Sequence, residues 1–315
     1  MLPMILLTAL GLATLAALLL FLVFRKTFYT TARRKRAADP FKMPPGFGEP
    51  DPTMIRLITD LRDRPYERVE ITARDGTRLV ARYHHVADGA PLEIQCHGYR
   101  GCAVREFCGG NLLAAEMGHN TLLIDQRAHG ESDGKVITFG IRERLDVLDW
   151  VEYARHRFGE VPIFLVGISM GGATVLMASG EPLPPSVVGI IADCPYSDPG
   201  DIICSVIRMM HLSPRLAFPL VKSAARLYGG FSLTACSART AVASATVPIL
   251  LLHGENDRLV PCAMSREIAA AAGDRAELHT FKGADHGGSC MSDPPRYQAI
   301  LADFCSRCLH SDKSR

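Results

Sequence analysis

The chain of 315 residues carries a formal net charge of +2 and is 48% hydrophobic. This length fits one large globular domain with an additional segment. Its ten cysteines include only one Cys-x-x-Cys spacing, Cys305 and Cys308, so we expect free thiols in a reducing compartment rather than a disulfide framework. The histidines form no His-Glu-x-x-His or His-x-x-x-His pattern. No metal and no cofactor are therefore predicted.

The first residues of the chain predict a membrane anchor. Residues 2–24 contain no charged side chain, and as a helix these 23 residues would extend about 35 Å, enough to cross a hydrocarbon core of roughly 30 Å. A cleaved signal peptide carries positive charge before its apolar stretch, and none is present here. We therefore expect residues 1–24 to form an uncleaved single-pass transmembrane anchor.

Positive charge follows the anchor and predicts its orientation. Against the single acid Asp39, the cations of this segment are Arg25, Lys26, Arg33, Arg34, Lys35, Arg36 and Lys42. Cytoplasmic flanks of membrane helices are enriched in Lys and Arg, so we expect the rest of the chain to lie in the cytoplasm. The patch also suits anionic lipid headgroups. Without it the body has 28 basic and 32 acidic residues, so nucleic acid is not a predicted partner.

Residues 25–65 are predicted to be this basic juxtamembrane segment followed by a linker. The residues that favour a stiff, irregular spacer are Pro40, Pro44, Gly46, Gly48, Pro50 and Pro52. From residue 66 to about 310, strand-like and helix-like segments alternate, which predicts an α/β fold with a mostly parallel central sheet and helices on both faces. The predicted strands cover residues 68–73, 78–86, 92–97, 120–125, 162–168, 187–193, 248–253 and 276–281. The predicted helices cover residues 103–117, 140–158, 170–180, 262–272 and 295–309.

A Gly-x-Ser-x-Gly sequence at residues 167–171 is the strongest local motif. It follows the apolar run 162–166 and precedes the small-residue run 172–178, so a buried strand turns into a helix with Ser169 at the corner. Such a turn strains the serine backbone and lifts its hydroxyl out of the sheet, a position typical of a nucleophile. The helix that follows points its amides at the serine, where they can stabilise negative charge.

A serine nucleophile needs a base and an acid that orients the base, and both follow in chain order. Asp257 comes after an apolar strand, and His286 lies in the loop after the last predicted strand. We predict that His286 takes the Ser169 proton and that Asp257 fixes the imidazole tautomer. Asp193, which also ends a strand, is the rival acid, whereas Asp285 is too close in sequence to His286 to support it from behind.

Two backbone amides are expected to form an oxyanion hole. One belongs to Met170, directly after the nucleophile. The other belongs to Tyr99, in a His-Gly-Tyr-Arg-Gly loop where Gly98 lets the backbone approach the substrate. The alternative is that His97 and Gly98 form only a strand-ending turn with a hydrogen-bonded histidine.

Together these stretches resemble the α/β-hydrolase superfamily, most of all its membrane-associated bacterial and animal members with a His-Gly-Tyr oxyanion loop. The matching segments, in the order of the family, are residues 97–101, 125–132, 167–172, 193–197, 253–257 and 284–286. The resemblance covers roughly residues 66–310 and implies the α/β-hydrolase fold with a working triad of Ser169, Asp257 and His286. One departure is Ala128, where family members commonly have glycine in a structural loop.

The interval between the strand ending at Asp193 and the strand starting at Val247 is too long for an ordinary connection. In the fold that the resemblance implies, such an insertion, here at about 195–246, is usually a helical cap over the active site. Its content of Ile, Met, Leu and Phe predicts an apolar acyl pocket or, equally, the packing of the cap onto the body.

The sequence therefore predicts a membrane-anchored serine hydrolase that cleaves a carboxylic ester or thioester through an acyl-enzyme. Its expected partners are a small-molecule or lipid-like acyl substrate and, through residues 2–24 and the basic patch, membrane lipids. The alternatives are a peptidase or amidase of the same fold and a non-catalytic membrane-anchored binding protein. A binding protein has no reason to retain Ser169, Asp257 and His286 together. Cys96 is the second candidate nucleophile, although a buried strand-end thiol fits it better.

Overall fold

The structure, a computed structural model, describes residues 1–31, 39–43 and 49–311. Within them eight strands form one sheet, namely β1 (Glu67–Thr72), β2 (Arg78–His84), β3 (Leu92–Cys96), β4 (Asn120–Asp125), β5 (Ile163–Ile168), β6 (Val187–Asp193), β7 (Ile249–Gly254) and β8 (Ala276–Phe281). Their spatial order is β1-β2-β4-β3-β5-β6-β7-β8. Neighbours from β4 to β8 run parallel, whereas β2 is antiparallel to both β1 and β4. The predicted mostly parallel sheet is confirmed.

Helices flank this sheet and precede it. Before the insertion they are α1 (Leu2–Thr27), α2 (Pro52–Asp63), α3 (Ala103–Glu106), α4 (Cys108–Glu116), α5 (Glu143–Phe158) and α6 (Met170–Ala178). The remaining ones are α7 (Pro199–Met209), α8 (Pro214–Ala224), α9 (Ala238–Ala241), α10 (Ala263–Ala272), α11 (Ser289–Ser292) and α12 (Pro294–Ser311). The single helix predicted at 103–117 is divided between α3 and α4, because Phe107 leaves helical geometry and packs its buried ring into a core.

Side chains that alternate along the strands pack into two different cores, as the two-residue period of a strand requires. Leu165 and Leu251 face the main core, which includes the fully buried Trp150 of α5. Phe164 and Leu250, their neighbours in sequence, face a second core on the side of α12. The central strands are therefore buried on both faces, and the loops at their carboxyl ends extend from a rigid support.

The helix α1 is long and apolar enough to cross a membrane: its segment Pro3–Thr27 has 25 residues and a mean hydropathy of 2.6. Residues 3–19 are all exposed. Its carboxyl end, in contrast, is attached to the body. The ring of Phe28 is fully buried, and the backbone of the adjoining residues pairs with the segment around Val136, with Tyr29 opposite Val136. The helix α1 therefore leads directly into the body of the fold.

The helix α2 lies inside the segment where the sequence suggested only a linker. Asp51 caps it by accepting a hydrogen bond from the backbone N–H of Met54 at 2.8 Å, and Pro52 occupies its first position. Its residues Ile58 and Leu61 are buried against α3 and α4. The central part of the predicted linker, residues 44–48, lies outside the described residues, as do the four consecutive cations at 33–36.

The insertion between β6 and β7 is helical, as predicted, and consists of α7, α8, a π-helical turn at Ala225–Gly229 and the short α9. It leaves the sheet at the carboxyl end of β6. Ile203, Ile207 and Val221 from this cap are buried in the main core. Much of the apolar content of the cap therefore packs it onto the body, which was the second of the two interpretations of its sequence.

Candidate active site

The turn between β5 and α6 holds Ser169 in a strained backbone conformation. Its φ of 55° and ψ of −116° lie outside the regions that a residue with a Cβ prefers, and such strain costs about 1–3 kcal/mol. Two hydrogen bonds hold the conformation: the Ser169 N–H donates to the carbonyl of Asp193 at 2.8 Å, and its carbonyl accepts from the N–H of Ala173 at 2.9 Å. The hydroxyl consequently stands at the carboxyl edge of the sheet.

The glycines of the motif are required by close backbone contacts. A Cβ on Gly171 would collide with the backbone carbonyls of Cys96 and His97 at the end of β3. A Cβ on Gly167 would collide with the backbone of Gly171 itself. The motif therefore permits α6 to start directly against β3 and β5, which brings the loop after β3 next to Ser169.

The structure brings Ser169, His286 and Asp257 together in one hydrogen-bonded row. His286 Nε2 lies 2.9 Å from Ser169 Oγ, and His286 Nδ1 lies 2.7 Å from Asp257 Oδ2. A carboxylate only accepts, so Nδ1 carries the proton and Nε2 is free to accept the serine proton. Ser169 and His286 are half-buried, whereas Asp257 is buried. The row therefore extends from the buried Asp257 towards the surface.

Asp257 has other partners in addition to His286. Its Oδ1 accepts from the backbone N–H groups of Leu259 and Val260 at 2.9 and 2.8 Å, and the ring of His253 lies 3.2 Å from its Oδ2. Burial would raise the pKa of this carboxyl, but the hydrogen bonds from His253 and His286 outweigh it and lower the pKa to about 2. The carboxylate is therefore ionised at neutral pH.

The pKa of His286 is shifted in the opposite direction from that of Asp257. Burial disfavours the charged imidazole, but the hydrogen-bonded Asp257 carboxylate outweighs it, and the pKa of His286 is raised well above 6.5. The role of His253 as a second partner of the acid was not predicted from the sequence. Only its position four residues before Asp257 at the end of β7 pointed to it.

The two rival acids make other contacts. Asp193 is buried, and its carboxylate accepts from the hydroxyls of Ser289 and Tyr297 at 2.9 and 3.1 Å. Burial raises the pKa of Asp193, which these hydrogen bonds only partly offset. Asp285 accepts from the backbone N–H of His286 at 2.8 Å rather than from its ring. Asp193 therefore binds the segment that follows His286. Of the three acids Asp193, Asp257 and Asp285, it is Asp257 that contacts the imidazole of His286.

The loop after β3, predicted to carry an oxyanion amide, lies against the serine. A Cβ on Gly98 would stand 3.3 Å from the Cβ of Ser169, and the Gly98 N–H donates to Glu106 Oε2 at 2.5 Å. His97 is fully buried, with Nδ1 2.8 Å from the Gly98 carbonyl and Nε2 accepting from the backbone of Gln126 at 3.1 Å. His97 is thus a structural residue, and Glu106, which the sequence analysis missed, holds the loop in place.

The side chains of this loop reach the carboxyl end of α1. The Tyr99 hydroxyl donates to the carbonyl of Thr27 at 2.6 Å, and the Arg100 guanidinium donates to the carbonyl of Lys26 at 2.7 Å. The Arg100 backbone has a positive φ of 52°, and its N–H donates to His129 Nε2 at 2.9 Å. No local sequence signal pointed to these contacts, because they join segments about 70 residues apart.

Ala128, the departure from the family pattern, adopts a φ of 65° in the loop that also contains His129. A glycine occupies this left-handed region without steric cost, whereas a Cβ is strained there. The loop nevertheless keeps its connection to Arg100 through His129. The alanine therefore affects the strain of a supporting loop rather than the arrangement of Ser169 and His286.

One group of side chains could also bind a metal ion. Donor atoms of Cys194, Asp257 and His286 lie within 4.8 Å of one another. Burial raises the pKa of the Cys194 thiol, so it remains protonated and is a poor ligand, and a metal would compete with the bond between His286 and Asp257.

The alternative nucleophile, Cys96, is fully buried. Burial also raises the pKa of its thiol, which disfavours it as a nucleophile.

Known proteins resemble this chain in sequence and in fold. It is 24% identical to Bacillus subtilis (strain 168) YqkD over 266 residues, 81% of this chain and 86% of YqkD. It is 28% identical to Salmonella typhimurium YfhR over 229 residues, 70% of this chain and 74% of YfhR. The structure of the Pyrococcus furiosus esterase Pf2001 superposes with a TM-score of 0.66 at 23% identity, covering 85% of this chain and 98% of the esterase. The alpha/beta hydrolase family profile matches residues 96–299, well over half of the sequence. The chain therefore belongs to the alpha/beta hydrolase family.

Proposed function

We propose that this protein is a membrane-anchored serine hydrolase that cleaves a carboxylic ester or thioester through an acyl-enzyme. One observation carries the proposal: His286 lies between the hydroxyl of a strained Ser169, at 2.9 Å, and the buried Asp257 carboxylate, at 2.7 Å. A hydroxyl becomes a nucleophile when an oriented base removes its proton, and this row supplies both base and orientation. Membership in the alpha/beta hydrolase family and the likeness in fold to an esterase agree with it.

The reaction would proceed in two displacements. Ser169 Oγ attacks the acyl carbonyl while its proton passes to His286 Nε2, and a tetrahedral oxyanion forms. When the oxyanion collapses, the bond to the leaving oxygen or sulfur breaks, and that atom takes the proton from His286. Water, deprotonated by the same imidazole, then releases the acid from the serine. Asp257 holds the tautomer throughout and stabilises the imidazolium in each step.

The oxyanion would be stabilised by the backbone N–H groups of Tyr99 and Met170. Met170 is the first residue of α6, where N–H groups have no partner inside the helix and the helix dipole favours negative charge. The close approach of Gly98 to Ser169 supports the same role for the N–H of the adjoining Tyr99. A donor of this kind contributes about 3–4 kcal/mol to transition-state stabilisation in serine hydrolases.

We further propose that residues 1–24 anchor the protein and that the hydrolase domain, residues 66–310 with its cap at about 195–246, lies in the cytoplasm. The apolar length of α1 and the cations that follow it support this orientation. The expected substrates are small or lipid-like acyl compounds. Neither a metal nor another cofactor enters the proposed chemistry.

Replacing the nucleophile should abolish catalysis without unfolding the protein. We expect wild type to hydrolyse p-nitrophenyl esters and to react with a fluorophosphonate probe, and Ser169→Ala to do neither. Ser179→Ala is the matched control, because this serine is buried at the end of α6 and its hydroxyl donates to the local carbonyl of Leu176. The assay should compare esters of graded chain length with aminoacyl amides.

Each contrary outcome of this assay has a distinct meaning. Labelling of Ser169→Ala would move the nucleophile elsewhere, with Cys96 the next candidate. Faster turnover of the amides would favour the peptidase alternative. A wild-type protein that neither turns over nor reacts would favour a non-catalytic binding protein.

Removing the charge of Asp257 should lower turnover far more than removing the charge of Asp193, the rival acid. Asp257→Asn should lower kcat by on the order of 10⁴, because the imidazole loses its correct tautomer. Asp193→Asn should lower it much less, since Asp193 contacts Ser289 and Tyr297 rather than the imidazole. Steady-state kinetics with one ester would test the ranking, and the reverse order would assign the acid to β6.

The raised pKa of His286 predicts the pH dependence of turnover. The imidazole accepts the serine proton only when it is neutral, so kcat/KM should fall as the pH drops through this pKa. Because that pKa lies well above 6.5, the acid limb of the profile should lie at higher pH than for an ordinary histidine. Asp257 titrates at about 2 and does not contribute. An acid limb at or below 6.5 would contradict the proposed electrostatics of the row.

Orientation can be tested with a tag at the carboxyl terminus. If the hydrolase domain is cytoplasmic, protease added to intact cells should leave the tag, and protease added to permeabilised cells should remove it. Digestion in intact cells would place the domain outside and would also overturn the expectation of free thiols in a reducing compartment.

A further inference from the structure

The carboxyl-terminal third of α1 packs against the cap. The Tyr228 hydroxyl donates to the carbonyl of Ala17 at 2.9 Å, and its ring lies 5.4 Å from that of Phe21 and 5.9 Å from that of Phe24. Further along, Phe28 meets Phe231 edge to face at 5.2 Å. Both partners, Tyr228 and Phe231, follow α8 in the cap. From Ala17 onwards the helix is therefore accompanied by the hydrolase domain.

This contact leaves too little free helix to cross a bilayer alone. The 14 residues 3–16 lie before the contact with Tyr228, and at 1.5 Å per residue they span about 21 Å. A hydrocarbon core is roughly 30 Å thick. If α1 crosses the membrane, about 9 Å more of it must lie in the hydrocarbon, which is the stretch from Ala17 to about Leu22. The part of the cap beside that stretch must then lie within the leaflet as well.

The cap exposes apolar side chains of the kind that such a position requires. Its exposed apolar residues are Val206 (36%), Met209 (52%), Met210 (46%), Leu212 (52%), Leu216 (77%), Leu220 (37%) and Leu227 (63%). They lie on α7, on α8, in the connection between these helices and in the turn after α8. Leu216 and Leu220 are one helical turn apart and share a side of α8. We name these seven residues the cap face.

Apart from Asp201 near the start of α7, which lies 3.8 Å from Arg239, the charged side chains of the cap helices are cationic. Residues 202–254 contain four arginines and one lysine but no aspartate or glutamate. Arg215, Lys222 and Arg226 are exposed, and within the described part of the chain no ion pair engages them. Their spacing of seven and four residues puts them on a different side of the helix from Leu216 and Leu220. A helix with leucines on one side and cations on another is typical of a surface that lies in the interface of an anionic membrane.

We propose that the cap face is inserted in the leaflet of the membrane that α1 crosses, with its cations at the headgroups. The proposal deepens the proposed function, on which it rests, because it makes the acyl lipids of that leaflet the substrate class. Ser169 and the cap both lie at the carboxyl edge of the sheet. The last residue of α1, Thr27, accepts a hydrogen bond from Tyr99 in the proposed oxyanion loop. A leaflet lipid would therefore reach the site along the cap without passing through water.

The position of the cap face can be measured with tryptophan as a depth probe. Leu216→Trp is introduced into the full-length protein, which is reconstituted in nanodiscs of phosphatidylcholine with a minor fraction of phosphatidylserine. The native Trp150 is fully buried, and the unsubstituted protein supplies its background emission. The control is Val86→Trp, another exposed apolar residue (42%) whose backbone N–H bonds to Asn120 at the opposite edge of the sheet.

We expect the emission of the tryptophan at position 216 to be shifted to the blue and quenched when the acyl chains are brominated. The tryptophan at position 86 should remain unquenched. Equal, weak quenching of both would overturn the proposal. A cap face shielded by a second copy of the chain, detected as a dimer in the nanodisc with position 216 unquenched, would overturn it too.

A kinetic experiment tests the supply of substrate. The variant Leu216→Ser/Leu220→Ser/Leu227→Ser should lose roughly tenfold or more in kcat/KM for a long-chain ester inserted in vesicles, because three apolar contacts with the leaflet are removed. Its turnover of soluble p-nitrophenyl acetate should match that of wild type, as should that of Val86→Ser on both substrates. Equal loss on both substrates, or on neither, would overturn the proposal. Failure of the proposed function would look different, since wild type would then hydrolyse neither ester whatever the quenching showed.

Discussion

The backbone at Ser169 is the constraint on which the site depends. A residue with a Cβ is held at a φ of 55° only because β5, β3 and α6 meet at contact distance, which in turn requires Gly167 and Gly171. The strain of about 1–3 kcal/mol is offset by the packing of strands that are buried on both faces. This packing brings the ends of β3, β5, β6 and β7 to one edge of the sheet. Base, acid and oxyanion loop can therefore come from segments far apart in the chain.

Buried polar groups then fix each part with little freedom. Asp257 accepts three hydrogen bonds, of which two come from backbone N–H groups that cannot move independently of the loop, and the ring of His253 lies 3.2 Å from its Oδ2. On the other side of the serine, Glu106 holds Gly98, and His129 holds Arg100. An unsatisfied buried polar group costs about 1–3 kcal/mol, so these networks tolerate few alternative arrangements. The reactive geometry is thus set before any substrate arrives.

The sheet, its strands and the grouping of Ser169, Asp257 and His286 were predictable because each depends on a local pattern. Apolar runs of strand length, the glycines around Ser169 and the position of polar residues at strand ends are all readable in sequence. Contacts between segments that are distant in the chain could not be predicted in this way. The bond of Tyr99 to Thr27 joins such segments, and the bond of Gly98 to Glu106, although local, depends on the course of the loop between them. The helix α2 was missed although its signal, Asp51 followed by Pro52, is present, because neighbouring prolines and glycines favoured a linker.

The carboxyl end of α1 contributes contacts to the candidate site as well as to its own attachment to the body of the fold. The carbonyls of Lys26 and Thr27 accept hydrogen bonds from Arg100 and Tyr99, as acceptors that a helix end leaves without internal partners. Burial of the Phe28 ring contributes about 2–3 kcal/mol more to the same attachment. A chain that starts after Phe28 would lose both contributions, and the loop after β3 would gain freedom. The helix α1 and the body of the fold are therefore joined energetically, and the loop after β3 is held in part by contacts that α1 supplies.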